Sequence, residues 1–262
     1  TSAVSVVSGE ELTEMAPSMS VDNMLQGKAA GVDVTAANGQ PGQTAFVRIR
    51  GIGSINASSE PLYIIDGVVA PNLNSVNPND IASISVLKDA ATASKYGSRA
   101  ANGVIVITTK AGAVDKEASI QFTSRYGFSQ KIEDNFDMMN AAQKIRYERE
   151  LSTLGVTNAQ GLPGATADQE TYERLLSFDN DWQETLLRRG IVQSNNLTVS
   201  GGEEKFDYFF SVGHDINEGI IDAIDGFERT NTRLNVNYQA KEWLKIGTNI
   251  SVTSTSSDEP RD

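Results

Sequence analysis

The sequence contains no cysteine and a single histidine, His214, among 262 residues. The first absence removes disulfides, thiolate metal sites and cysteine nucleophiles. The second removes any multi-histidine metal centre. Basic residues are outnumbered, 22 Lys and Arg against 34 Asp and Glu, for a net charge of −12. A chain this acidic repels phosphate backbones, which argues against a nucleic-acid partner. No apolar run approaches the ~20 residues that a membrane helix needs. No signal peptide is visible, and Thr1-Ser2-Ala3-Val4 reads like a start in mid-protein. What is present is enough apolar material for a core: 39% hydrophobic and 21% charged residues exclude wholesale disorder.

The chain divides near Ala111–Lys116. Residues 1–112 carry 7 basic and 9 acidic side chains, and residues 113–262 carry 15 and 25. The first part reads as a small α+β domain. Val21, Met24 and Leu25 share one face of a short helix, with Ser20 as candidate N-cap. Strands are expected at Val32–Thr35, Phe46–Arg50, Leu62–Ile65, Ile84–Leu87 and Val104–Thr109, punctuated by turn-rich links. Asp66-Gly67 is the signature of a tight hairpin turn. Asp89–Tyr96 is a further short helix candidate, closed by Gly97.

The second part alternates. Ile120, Phe122, Tyr126 and Phe128 oppose Gln121, Thr123, Arg125 and Ser129. Phe206, Tyr208, Phe210 and Val212 oppose Asp207, Ser211 and Asp215. Leu234, Val236 and Tyr238 oppose Arg229, Asn231, Arg233, Asn235, Asn237 and Gln239. Leu244, Ile246, Ile250 and Val252 oppose Lys245, Asn249 and Ser251, and Leu197 and Val199 mark a weaker strand in 192–200. Such alternation suits a transmembrane barrel, lipid on one face and a wet lumen on the other. It suits a soluble sandwich or a sheet with one wet face equally well. Connection lengths favour the barrel: short turns at Gly201-Gly202-Glu203 and Ala240-Lys241-Glu242 alternate with long links at 130–190 and 218–227. Tyr126, Tyr208, Tyr238 and Trp243 are candidates for an interfacial aromatic girdle. Within 130–190, helices are expected at Ala141–Leu151 with Asn140 as cap, at Thr171–Phe178 and at Asp181–Arg188.

Several signals carry no chemistry. Gly51-x-Gly53 lacks the third glycine and the strand–helix context of a dinucleotide loop. His214 lies in a strand whose neighbours explain it. Asp222, Asp225 and Glu228 do not have the spacing of an EF-hand calcium loop.

Ordered motifs then carry a resemblance. Gln40-Pro41-Gly42, Val47-Arg48-Ile49-Arg50-Gly51-Ile52-Gly53 and Tyr63-Ile64-Ile65-Asp66-Gly67-Val68 resemble the plug signature of TonB-dependent outer-membrane transporters. Ile84–Gly97 and Asn102–Lys110 are similar to the later plug motifs. Leu25-Gln26-Gly27-Lys28-Ala29-Ala30-Gly31-Val32, Lys88-Asp89-Ala90, Asn196–Gly202 and Arg233–Val236 resemble the SusC/RagA-like branch.

The resemblance implies an α+β plug domain over 1–112, followed over 113–262 by the first five antiparallel strands of an incomplete transmembrane β-barrel. Five strands cannot close a barrel, so the sequence is expected to be the N-terminal piece of a longer protein. It implies TonB-dependent import of oligosaccharides or peptides across the bacterial outer membrane, with no reaction on the cargo and no cofactor. The partners implied are a SusD-like surface lipoprotein, outer-membrane lipid, and TonB through a TonB box upstream of Thr1. Arg50 and Lys88 are expected to anchor the plug to wall carboxylates. Gln40, Asn56, Asn72 and Asn74, on turn-rich links, are expected to meet the cargo, although turn geometry alone also explains them. The alternative class is a soluble β-sandwich carbohydrate-binding or adhesion module, and a more distant one is a secreted hydrolase using paired carboxylates. An outward, uncovered position for Phe206, Phe210, Leu234, Val236, Ile246 and Ile250 would separate the barrel from the sandwich.

Overall fold

The computed structural model describes residues 4–13, 20–36, 39–49, 60–89, 93–132, 138–156, 161–178, 180–224 and 226–258. They form two compact units. One comprises 1–129, 190–219 and 224–262, and the other 130–189 with 220–223.

The first unit contains two sheets and a ribbon. β1 (Val4–Ser8), β4 (Leu62–Ile65), β5 (Val68–Ala70), β6 (Ile81–Leu87) and β7 (Val104–Thr109) form a mixed sheet in the order β1-β6-β7-β4-β5. Only the β4–β7 pairing is parallel. β2 (Val32–Thr35) and β3 (Phe46–Ile49) pair as a separate antiparallel ribbon. The strands are short, and their β-branched residues Val7, Val47, Ile81, Ile84, Val86, Ile105 and Ile107 are buried in one core with Leu12, Val21, Leu25 and Leu73 from the helical turns and links. Asp66 and Gly67 join β4 to β5 with φ values of 49° and 88°. Positive φ at both residues is the mark of a type I′ two-residue hairpin turn, and Asp-Gly is a pair that accepts it.

Local sequence signals fared unevenly here. The expected helix at residue 21 is a single turn, Val21–Met24, and Ser20 is extended without a capping side-chain bond. Ser94–Tyr96 is a 3-10 turn, and Gly97 beyond it has φ 74°. β1 and the helical turn Gly9–Thr13 were not anticipated.

The second sheet is a five-strand antiparallel meander: β8 (Lys116–Ser129), β9 (Gly190–Glu203), β10 (Phe206–Asn217), β11 (Phe227–Lys241) and β12 (Leu244–Ser257). It is open, not closed on itself. The tight turns are at 204–205 and 242–243, the first two or three residues beyond the glycine pair that suggested it and the second one or two residues beyond the expected 240–242. Gly201 and Gly202 sit within β9 instead. A Cβ at Gly202 would collide with the Ala113 carbonyl and lie 2.8 Å from the Phe206 oxygen, so this glycine serves close approach, not chain reversal.

The second unit is helical. Ala141–Thr153 begins with a reciprocal cap: Asn140 Oδ1 accepts from the Gln143 N–H at 2.8 Å, and Gln143 Oε1 accepts from the Asn140 N–H at 3.0 Å. Further helices run Pro163–Thr166, Gln169–Leu176 and Trp182–Leu186, the last two capped by Asp168 and Asp181.

Candidate functional site

The five-strand sheet is reversed relative to a water-soluble one. Its apolar face is exposed: Ile120 is 74% accessible, Phe122 66% and Val252 63%. Phe206, Ile246 and Ile250 are exposed as well, while Phe210, Leu234 and Val236 are half-covered by neighbours. Among the described residues of this unit, no second sheet packs on that face. The polar face is buried instead, with Arg229 at 1% and Arg233 at 5%, together with Asn196, Asp207, Ser211, Asp215, Asn231 and Asn235. A charged or amide side chain is almost never fully buried unless paired.

The apolar band also drifts. It is centred near residue 124 on β8 and near 248 on β12. The rung from Ser124 passes through Asn195, His214 and Thr230 to Ser254. That rung meets β12 about six residues beyond the centre of its band, or about 1.5 residues per strand step, a slope of roughly 45° at ~3.4 Å rise and ~4.8 Å strand spacing. A flat band on tilted strands has this appearance, and barrel strands in membranes tilt by about 35–45°. A sandwich core has no reason to drift.

Covering the buried polar face is the small domain, whose edges meet the sheet through hydrogen bonds. Asp66 is the principal node. Its carboxylate accepts from the Thr109 N–H at 2.9 Å, the Thr109 hydroxyl at 2.7 Å and Asn249 Nδ2 at 3.0 Å, and forms an ion pair with Arg233. Arg233 also donates to Asn249 Oδ1 at 3.0 Å. Burial pushes the Asp66 carboxyl up, but the Thr109 N–H and hydroxyl, the Asn249 amide and the Arg233 guanidinium together hold it below the usual carboxylate value.

Arg229 anchors a second node. It donates to Asp215 Oδ2 at 2.7 and 3.1 Å and to the Asn74 carbonyl at 3.2 Å. Elsewhere Arg125 donates to Asn79 Oδ1 at 3.0 Å, Asn235 Nδ2 to the Lys110 carbonyl at 2.8 Å, and Thr253 to the Ser75 carbonyl at 3.0 Å. Asp80 lies deep in this seam. Burial pushes its carboxyl up, against the Ser211 hydroxyl and the cations of Arg233, Lys110 and Arg229, which pull it down. Beside Asp66 and Arg233 an open groove of about 470 Å³ is lined further by Val76, Asn249, Ser251 and Thr253.

The residues singled out from sequence fall as follows. Lys88 donates to Ser5 Oγ on β1, inside the small domain. Gln40 is half-buried, and next to it Gly42 packs so closely on Phe227 that a Cβ would strike the ring. Asn72 is exposed and accepts from the Asn74 N–H at 3.1 Å, and Asn74 meets Arg229 through its carbonyl. Arg50 and Asn56 lie outside the described residues. Sequence reasoning missed Asp66, Asn77, Arg229 and Arg233 as contact residues. The buried arginines were already marked by lying on the polar face of an alternating strand. Nothing near Asp66 distinguished an anchor from a turn residue.

This arrangement holds a domain against a wall by polar contacts that water can replace. Comparison with known proteins agrees. A family model described as the TonB-dependent Receptor Plug Domain matches residues 1–104. The chain is 35% identical over 255 residues to TonB-dependent receptor P26 of Formosa agariphila, covering 96% of this chain and 25% of that protein. It is 33% identical over 245 residues to TonB-dependent receptor SusC of Bacteroides thetaiotaomicron, covering 90% and 23% respectively. The solved RagAB peptide importer in its open-open state superposes with a TM-score of 0.82 at 33% identity, covering 98% of this chain and 31% of that one. The chain thus spans about a quarter of the length of these curated relatives.

Proposed function

The chain belongs to the SusC/RagA-like TonB-dependent receptors, and from that membership we propose that it serves energy-coupled import of oligosaccharides or peptides across the bacterial outer membrane. Residues 1–112 act as the plug, and 113–262 supply wall strands with the partly helical loop 130–190. The observation that carries this reading is the reversed sheet, which presents apolar side chains outward and keeps arginine and asparagine against the plug. In water such a face would cost about 25 cal/mol for each Å² of apolar surface left exposed. Against acyl chains it costs nothing. The soluble sandwich has no support in this geometry, because among the described residues of the unit nothing covers the apolar face.

Cargo enters from the outer side, where a SusD-like lipoprotein closes over it. Gln40, Asn56, Asn72 and Asn74 are the plug side chains offered to it, with amides that donate and accept hydrogen bonds to sugar hydroxyls or peptide groups. Arg50 and Lys88 are further plug-holding charges in this reading, in addition to the Asp66 and Arg229 nodes. TonB, engaging a box upstream of Thr1, pulls the plug, and the polar seam yields because its hydrogen bonds can be exchanged for water at small net cost. No bond in the cargo is made or broken. The test is accumulation of labelled oligosaccharides and labelled peptides by cells carrying the whole transporter, with and without TonB. Uptake of one class that vanishes without TonB is expected. Uptake indifferent to TonB overturns the proposal.

A further inference from the structure

One contact in the seam joins a single side chain of the small domain to three strands of the sheet at once. On the polar face, Asn196, Gly213 and Asn231 form one rung across β9, β10 and β11. The side chain of Asn77, 2% exposed, lies over Gly213 in that rung. Its Nδ2 donates to Asn196 Oδ1 at 2.9 Å and to Asn231 Oδ1 at 3.2 Å. Its Oδ1 accepts from the Asn79 N–H at 2.9 Å and from Asn79 Nδ2 at 3.1 Å. An amide has two hydrogens to give and two lone pairs to fill, and all four are engaged here. Asn196 is held in its orientation by donating Nδ2 to Thr198 Oγ1 at 3.0 Å.

Gly213 makes the fit possible. A Cβ there would run into Asn77 Nδ2 and lie 2.6 Å from Asn231 Oδ1 and 3.1 Å from Asn196 Oδ1. A glycine inside a strand forgoes side-chain packing, and close approach of another group is a standing reason for one. The hairpin node at Asp66, by contrast, reaches the wall partly through the long Arg233 side chain, which can follow a shift, and its carboxylate is 22% exposed where Asn77 is 2% exposed. We propose that the Asn77–Gly213 notch is the positioning site that sets the register of the plug against the wall and so seals the channel at rest. This rests on the plug-and-wall reading above.

The experiment uses the whole transporter in planar bilayers and reads ion leak. Gly213→Ala and Asn77→Ala are each expected to raise leak at least about tenfold, the consequence of unmaking a buried amide network. The double variant is expected to leak no more than Asn77→Ala alone, because removing the amide makes room for the added methyl and frees the two flanking asparagines to rotate. A double variant whose leak is the product of the two single effects overturns the proposal, as does an Asn77→Ala protein as tight as wild type. Should Gly213→Ala fail to assemble, as read by heat-modifiable migration, the double variant is expected to restore assembly. Failure to do so shows that Gly213 serves the strand alone and overturns the proposal. Removal of residues 1–112 separates this idea from its premise. If that deletion opens no conductance, the plug reading fails. If it opens the channel while the point variants do not, only the notch fails.

Discussion

Replacing Asp66 by asparagine tests how the plug is held. The substitution keeps size and shape but removes the charge, so its effect can be worked contact by contact. The carboxylate accepts four hydrogen bonds, from the Thr109 N–H, the Thr109 hydroxyl, Asn249 Nδ2 and Arg233. In the asparagine variant Oδ1 still accepts from the Thr109 N–H, and the threonine hydroxyl can rotate to accept from the new amide. The other two contacts become donor against donor. Hydrogen bonds to a charged group contribute about 1.5–3 kcal/mol each. The Asp66 side chain is 22% exposed, which lets water repair part of the loss, so roughly 2–4 kcal/mol is expected, less than the full cost of orphaning a buried ion pair.

Hydrogen exchange of the Ile64–Val69 amides in the whole transporter, in micelles, measures it. The expected loss of protection is about 30-fold or more, at ~1.4 kcal/mol per factor of ten. The variant should also be coupled to Arg233→Met, the double substitution costing less than the sum. The sign with pH is fixed: the Asp66 carboxyl is held below its ordinary value of 3.8. Its contribution is therefore fully present above that pH and is lost as pH falls through the lower folded value. Equal protection in wild type and variant at neutral pH, or additive effects with Arg233→Met, would refute the reasoning.

Two further outcomes are expected. Asp22, buried in the plug beside the Tyr63 phenol, has its carboxyl pushed from 3.8 up to about 6, by burial first and by Glu60 second. Its stabilising contribution is complete below 3.8 and lost as pH rises through 6, so Asp22→Asn should slow plug opening above pH 7 by up to ~3 kcal/mol and change nothing below pH 4, as read by hydrogen exchange over 20–31. Ile250→Arg on the outward face should impair assembly, at a cost of about 2–4 kcal/mol if it meets the acyl core, whereas Ser256→Arg beyond the apolar band should cost at most about 1 kcal/mol; equal tolerance of both in a folding titration into lipid vesicles would count against a lipid-facing sheet.

Asp66 illustrates how a correct local reading can hide a role. Asp66-Gly67 announces its turn through positive φ at both positions, and that explanation is sufficient for the residue type. The carboxylate's partners at 233 and 249 leave no trace near it. Gly201-Gly202 misled in the opposite sense, since a glycine pair signals a turn by default and here admits the Ala113 carbonyl instead. The helices of 130–189 were readable because capping is local: Asn140 and Gln143 are three residues apart, and the reciprocal bonds need nothing else. β1 was not, because a five-residue edge strand is too short for its pattern to stand out from any apolar stretch, and its partner β6 lies about 80 residues away.

Sequence alone determined that five late segments alternate with period two, that a compact α+β domain precedes them, and, through ordered motifs, which family they resemble. Alternation fixes that a strand has two unlike faces, yet it is the same pattern whether the apolar face looks inward or outward. Only the folded sheet, with Arg229 and Arg233 covered and Ile120 and Phe122 bare, decided the direction. The contacts across the seam belong to the tertiary structure as well. Asn77 meets Asn196 across 119 residues and Asp66 meets Asn249 across 183, distances at which no local propensity operates and only packing can bring the groups together.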